Sequence, residues 1–382
     1  MRIKAPWLRA AGTRAVLDCL ADGGWQVYLV GGCVRNALLG RPVADLDIAT
    51  DARPEEVIAR AAACDLKAVP TGVEHGTVTL VSDHRPFEVT TFRRDVETFG
   101  RHATVAFSTN IAEDAARRDF TMNALYATPE GEVIDPMGGL PDLRARRLRF
   151  VGDPALRIAE DYLRILRFFR FHAWYGDPEG GIDAAALAAC AEGQEGLDGL
   201  SRERVGAEIT KLLAAPDPAP SVASMAATGI LARVLPGAEA AALAPLVHIE
   251  TLAGATPRWQ RRLAALGAEA DWPERLRLSR ADRKALEAVR AALDAGARPA
   301  EGAYRFGAEA ARDAALILAA SLGAPPDPSL EAELARGAAA RFPLRAADLP
   351  LSGPELGAAL RALEATWIAS DFTLDRAALL AE

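Results

Sequence analysis

Asp45 and Asp47 are separated by one residue and follow a Gly31-Gly32 turn. Side chains alternate faces along a β-strand, so the two carboxylates are expected to point the same way, with Leu46 and Ile48 buried behind them. Carboxylates held that close repel unless a divalent cation neutralises them, and hard oxygen ligands suit Mg²⁺. Tyr28, Leu29 and Val30 read as a strand ending at the glycines. A helix then opens near Val34, and its first amide groups would face an anion. A phosphate cradle followed by a metal-binding carboxylate pair is the minimum equipment for moving a nucleotide from its triphosphate. The plainer alternative is a hairpin carrying solvated aspartates; the Gly-Gly turn at this spacing favours the chemical reading.

Three further segments carry groups suited to that chemistry. Glu88 faces out of a strand next to where the Asp45/Asp47 strand should pair. It either adds a third carboxylate to a two-metal site or serves as a partner for Arg93 or Arg94. In residues 112–125, Phe120, Ala124 and Leu125 form an apolar helix stripe with Arg118 and Asp119 at its edge. Arg118 can reach a triphosphate, while Asp119 and Asn123 can orient a ribose or brace the turn. In residues 160–171, helical spacing puts Asp161, Arg164 and Arg167 on one face at i, i+3 and i+6. Such a ladder is usually a salt-bridged surface, but it has a second use. Cytosine and adenine each present an exocyclic amine beside a ring-nitrogen acceptor, which a carboxylate next to a guanidinium matches. Uracil and guanine would set a carbonyl against that carboxylate.

These groups must be positioned by the elements around them. Residues 76–81 and 87–92 read as two strands of a hairpin turning at 82–86, and residues 130–136 read as a short strand ending in a turn. Helical patterns cover 54–63 and 112–126. Residues 92–107 are polar, contain Gly100 and lack periodicity, which predicts a mobile loop of a functional kind. After residue 150 almost everything reads as helix, with breaks at 175–181, 214–221, 235–237 and 324–328. The expected class is α+β: a mixed sheet with helices carrying the chemistry, then an all-helical remainder.

A chain of 382 residues exceeds one hydrophobic core, so two or more domains are expected. No apolar stretch reaches the ~18 residues a membrane span requires. Asp18 and Asp22 interrupt the apolar run behind the basic N-terminus, unlike a secretory signal. Cys19, Cys33, Cys64 and Cys190 lie far apart, so neither zinc nor a disulfide is expected, and a reducing cytoplasm is the simplest compartment. The net charge of −8 argues against wholesale coating of nucleic acid. Residues 144–170 nevertheless hold eight arginines against three acids, and polyanion contact is expected there.

Between residues 28 and 171 these motifs, in this order, resemble the bacterial tRNA nucleotidyltransferases (CCA-adding enzymes), the eubacterial and mitochondrial class of the polymerase-β-like superfamily. The resemblance implies a nucleotidyltransferase head over residues 1–150, a helical neck with a base-selecting helix over 151–225, and a tRNA-binding helical body and tail over 226–382. It implies Mg²⁺ on Asp45 and Asp47; Glu88, read from its strand position alone, would join them in the catalytic group. Nucleotide contacts would fall to Gly31, Gly32, Arg35 and Arg118, and those of the base-selecting helix to Asp161, Arg164, Arg167 and Arg170. CTP and ATP are the implied substrates and the tRNA acceptor arm and elbow the implied partner; no protein partner or membrane is implied. Asp135 to Gly139 resemble the family's hinge between head and neck. One departure stands out: Asn36 occupies the place of the family's usual Asp, removing a charge that could hold Arg35 or Arg118. Poly(A) polymerases share the head and neck motifs, and enzymes adding only CC or only A are further alternatives. Outside enzymes, the alternative is an inactive RNA-binding descendant.

Overall fold

Among the described residues, nine strands and the helices between and after them position the residues singled out above. The computed structural model describes residues 1–99, 102–267 and 270–381. The strands are β1 (Val27–Val30), β2 (Asp47–Thr50), β3 (Lys67–Gly72), β4 (Thr77–Ser82), β5 (Arg85–Thr91), β6 (Arg93–Phe99), β7 (His102–Phe107), β8 (Tyr126–Ala127) and β9 (Val133–Ile134). Seven of them form one mixed sheet in the order β3-β4-β5-β2-β1-β8-β9. Its centre is the parallel pair β2 and β5, in which Asp47 stands opposite Glu88. The hairpin β4–β5 turns through Asp83 and His84, both at positive φ (50° and 58°), as the tight turns that match strand twist require.

Helices α1 (Ala11–Ala21), α2 (Gly32–Leu38), α3 (Pro54–Ala63), α4 (Ile111–Ala116) and α5 (Gly139–Arg144) accompany the sheet. Helix α3 begins at Pro54, where the missing N–H is no loss, and Glu56 reaches back to the Arg53 N–H at 2.7 Å. Val30, Ala49, Phe92, Ala115, Ala124, Tyr126 and Val151 form a buried cluster of the sheet region.

Three local expectations change. Residues 112–126 are not one helix: α4 ends at Ala116, a 3₁₀ turn covers Thr121–Asn123, and β8 follows. Phe120, Ala124 and Leu125 are buried as expected, but as core residues of an irregular segment. Residues 92–107 are not a loop but the antiparallel pair β6–β7, from Arg93 opposite Phe107 to Phe99 opposite His102. Gly100 and Arg101 lie outside the described residues. Cys19 and Cys64 form a disulfide across 45 residues, with Cα atoms 6.1 Å apart. Packing of α1 on α3 makes that pair, and no short spacing announces it.

Beyond the sheet come α6 (Pro154–Glu160), α7 (Leu163–Tyr175), α8 (Ala184–Glu192) and α9 (Arg202–Leu213). Phe120 and Phe150 pack against Phe168 of α7, with ring centroids 4.9 to 6.3 Å apart; Phe150 stacks on Phe168 and Phe120 is tilted to both. Contacts divide the chain into two compact units: residues 1–208 with 227–234, and residues 209–226 with 235–382. The second unit is helical in its described residues, with a core that includes an ion network. Arg261 and Arg262 are both almost fully buried and paired with Glu250, and Arg261 is also paired with Asp313. No helix among the described residues is long and apolar enough to cross a membrane.

Candidate active site

The chain leaves β1 through Gly31, whose φ of 70° and ψ of −122° suit glycine, and enters α2 at once. A Cβ on Gly31 would lie 3.5 Å from Nη1 of Arg118, so the guanidinium overhangs the turn. Arg118 is held from behind: Nη2 donates to Asp114 at 3.0 Å and Nε to the Tyr126 hydroxyl at 3.0 Å. The Tyr126 hydroxyl itself donates to Asp114 at 2.6 Å. Burial alone would raise the Asp114 carboxyl, but Arg118 and Arg117 outweigh it and hold it at about 2. Asp114 is therefore an anion that fixes Arg118 and leaves Nη1 directed toward Gly31.

Arg35, one turn into α2, is almost fully buried. Its guanidinium donates to Tyr175 at 2.8 Å, to the Asn123 side-chain oxygen and to Asn36 Oδ1 at 2.9 Å, and lies 4.0 Å from the Tyr175 ring centroid. Asn36 thus keeps hold of Arg35 without a charge, and its amide donates to the Pro42 carbonyl at 3.0 Å.

Asp47 opens β2, and Asp45 lies just before the strand, exposed, with Leu46 and Ile48 buried as expected. Partial burial, then the charges of Glu88 and Asp45, raise the Asp47 carboxyl to about 6, against the pull of Arg118 and Arg35. These five groups are therefore within electrostatic reach of one another. Among the described residues no group of three or more His, Cys, Asp and Glu stands close enough to hold a metal alone. A pair of crowded carboxylates fits Mg²⁺, which keeps waters and takes other ligands from substrate phosphates.

The segment expected to select the base departs from the predicted continuous helix. Helix α6 ends at Glu160, Asp161 is extended (φ −153°, ψ 103°), and α7 starts at Leu163. Asp161 therefore does not share a helical face with Arg164. Its Oδ1 accepts the Leu163 N–H at 3.1 Å, and Oδ2 accepts Arg204 of α9 at 2.6 Å. Arg164 pairs with Glu160 at 2.6 Å and donates to the carbonyls of Arg157 and Arg117. Arg167 bonds Asp119 through Nε at 2.9 Å, and Arg170 bonds Glu208 at 2.6 Å. The hinge-like segment is a capped turn: Asp135 accepts the N–H groups of Gly139 and Leu140 at 2.7 and 2.9 Å. Any side chain at Gly139 would collide with the Thr121 carbonyl.

Sequence reasoning missed Asp114, Tyr126, Tyr175 and Arg204. Asp114 was legible, four residues before Arg118 on a helical pattern. Tyr126, Tyr175 and Arg204 were not, because each is joined to its partner by the fold rather than by local spacing.

Residues 27–149 match the family model of the poly(A) polymerase head domain, and residues 181–242 that of the probable RNA and SrmB-binding site of polymerase A. The chain is 39% identical over 203 residues to the mitochondrial CCA tRNA nucleotidyltransferase 1 of Danio rerio, spanning 47% of that protein's length. The crystal structure of the Bacillus stearothermophilus CCA-adding enzyme in complex with CTP superposes with a TM-score of 0.76 at 29% identity, over 96% of this chain and 94% of that one. The CCA-adding enzyme of Geobacillus stearothermophilus is 36% identical over 339 residues, 85% of this chain and 81% of that protein. On a likeness of that extent, the chain belongs to the CCA-adding enzymes, a family of tRNA nucleotidyltransferases.

Proposed function

We propose that this chain adds C, C and A to the 3′ end of tRNA from CTP and ATP, without a nucleic-acid template, releasing pyrophosphate. What carries the reading is the gathering of Asp45, Asp47, Arg118 and Arg35 about the Gly31 turn in a chain of this family. Asp45 and Asp47 would hold Mg²⁺, whose chemistry there, in a two-metal scheme, is to activate the 3′-hydroxyl and neutralise the leaving pyrophosphate. Glu88, beside Asp47, adds to the negative field that favours a cation.

The chain's own groups do the rest. Arg118, braced by Asp114 and Tyr126, offers Nη1 to the triphosphate beside Gly31 and Gly32, which carry no side chains of their own. Arg35 holds the turn against Asn123 and Tyr175. Asp161 accepts the exocyclic amine of C or A, and Arg164 donates to the ring nitrogen once it gives up a contact to Glu160 or a carbonyl. Arg167 and Arg170 anchor α7 through Asp119 and Glu208. The tRNA acceptor arm and elbow would be gripped by helices after residue 180.

The test is incubation with tRNAs ending before, within and after CCA, each labelled triphosphate being supplied in turn. Ordered C, C, A incorporation that stops after A is expected; no incorporation would overturn the reading. The likeness of residues 27–149 to a poly(A) polymerase head supports a second reading. Repeated A addition to a non-tRNA 3′ end would favour it.

A further inference from the structure

Asp161 is held from two directions. One oxygen is fixed by its own chain, through the Leu163 N–H at 3.1 Å. The other is fixed by Arg204, which arrives from α9 and lies 2.6 Å away. Both side chains are about three-quarters covered, at 25% and 23% exposure, so the pair is shielded but open enough for a base to approach. Asp161 occupies the extended break between α6 and α7 and has no helical backbone to aim it. Its aim therefore comes from these two hydrogen bonds, of which only the one from Arg204 carries charge on both partners.

We infer that Arg204 is a positioning residue for base selection. It orients the Asp161 carboxylate so that the remaining lone pairs meet an exocyclic amine and turn away a carbonyl. The inference rests on the role proposed above for Asp161. An ionised carboxylate oxygen can accept more than one hydrogen bond, so Arg204 occupies Oδ2 without closing it to a base. Arg204 carries charge on the neutral side of the discrimination: it attracts the carboxylate equally whichever triphosphate is bound. Its loss should therefore act through Asp161's aim rather than through nucleotide affinity in general.

The measurement is single-turnover incorporation of CTP, UTP, ATP and GTP on matched tRNA ends by wild type, Arg204→Ala, Arg204→Lys, Asp161→Ala and the double variant. Arg204→Ala should lower the CTP/UTP and ATP/GTP efficiency ratios by about fivefold, the scale of one misdirected polar contact. Arg204→Lys should recover part of that loss. Adding Arg204→Ala to Asp161→Ala should change the ratios no further. Thermal unfolding of each variant identifies any that fail to fold, in which case Arg204→Lys and Arg204→Gln carry the comparison. If Asp161→Ala shifts the ratios and the Arg204 variants do not, the positioning role is overturned while the reading of Asp161 stands. If Asp161→Ala leaves the ratios unchanged, both fall. A uniform loss for all four triphosphates on Arg204→Ala would make the residue merely structural and overturn the inference.

Discussion

Arg167 of α7 donates through Nε to Asp119 at 2.9 Å, and Asp119 also accepts the Asn123 side-chain amide at 2.9 Å and the Phe120 N–H at 2.8 Å. One carboxylate thus joins the helix carrying Arg164 to the segment carrying Arg118. It also fixes Asn123, whose oxygen takes Arg35. Arg35 and Arg167, far apart in sequence, are held in one arrangement by a buried anion.

This anion has a pH consequence. Burial alone would raise the Asp119 carboxyl, but Arg167 and the hydrogen bonds from Asn123 and Phe120 prevail and hold it at about 2. A carboxylate depressed in the folded state stabilises it above the unfolded value of about 3.9, and that contribution is lost as pH falls toward 2. Asp119→Asn should cost on the order of 2 kcal/mol at pH 7. Urea unfolding at pH 7, 4 and 2.5 should show the variant and wild type converging as the pH falls. A gap independent of pH would mean that Asp119 is not the anion described.

Asp47→Asn should abolish incorporation of both C and A while leaving tRNA binding nearly intact, because the carboxylate serves chemistry rather than grip. Removing one charge from the Asp45, Asp47 and Glu88 group should also leave the thermal midpoint in EDTA unchanged or higher, the opposite of the usual core substitution. Turnover above about a tenth of wild type, only ~1.4 kcal/mol in barrier, would remove Asp47 from the reacting centre.

Much of this arrangement was legible in the chain. The pattern at 54–63 became α3, the β4–β5 hairpin turned where expected, and Asp47 came to lie beside Glu88 because period-two alternation fixed which faces they share. Misreadings arose where a local period had two explanations. Asp161, Arg164 and Arg167 have helical spacing, yet the backbone breaks at Asp161, where the carboxylate satisfies the first N–H of α7. The polar stretch after Phe92 has no amphipathic signal because β6 and β7 pair mainly with each other. Arg204 and the Cys19–Cys64 pair were out of reach, since only tertiary packing creates them.

The disulfide gives a redox prediction. Cross-linking residues 45 apart removes loop-closure entropy worth about 4 kcal/mol in the chain-entropy model. Cys64→Ser, or a reductant, should lower the urea midpoint of the sheet-bearing unit and leave nucleotide incorporation at low temperature unchanged. Thiol counting by mass spectrometry under denaturation should find two free thiols in wild type, Cys33 and Cys190, and four after reduction.

Asn36→Asp restores the residue usual in the family and sets two effects against each other. Asn36 Oδ1 accepts from Arg35 at both 3.2 and 2.9 Å, so a carboxylate would turn two neutral hydrogen bonds into charge-assisted ones. For a guanidinium as buried as Arg35, that gain is roughly 1–2 kcal/mol. The amide, however, now donates to the Pro42 carbonyl at 3.0 Å, and a carboxylate there would set oxygen against oxygen. Because that second contact is exposed, water can replace it at a cost of about 1 kcal/mol or less. The gain should therefore win narrowly. Asn36→Asp is expected to raise the unfolding free energy by less than ~1 kcal/mol and to lower the KM for CTP and ATP together, with kcat unchanged. Arg35→Lys should cancel the improvement, since an ammonium lacks the fork that meets a single oxygen from two nitrogens. If Asn36→Asp destabilises the protein and raises both KM values, the Pro42 contact is the stronger one and Asn36 is an adaptation of this chain's own turn.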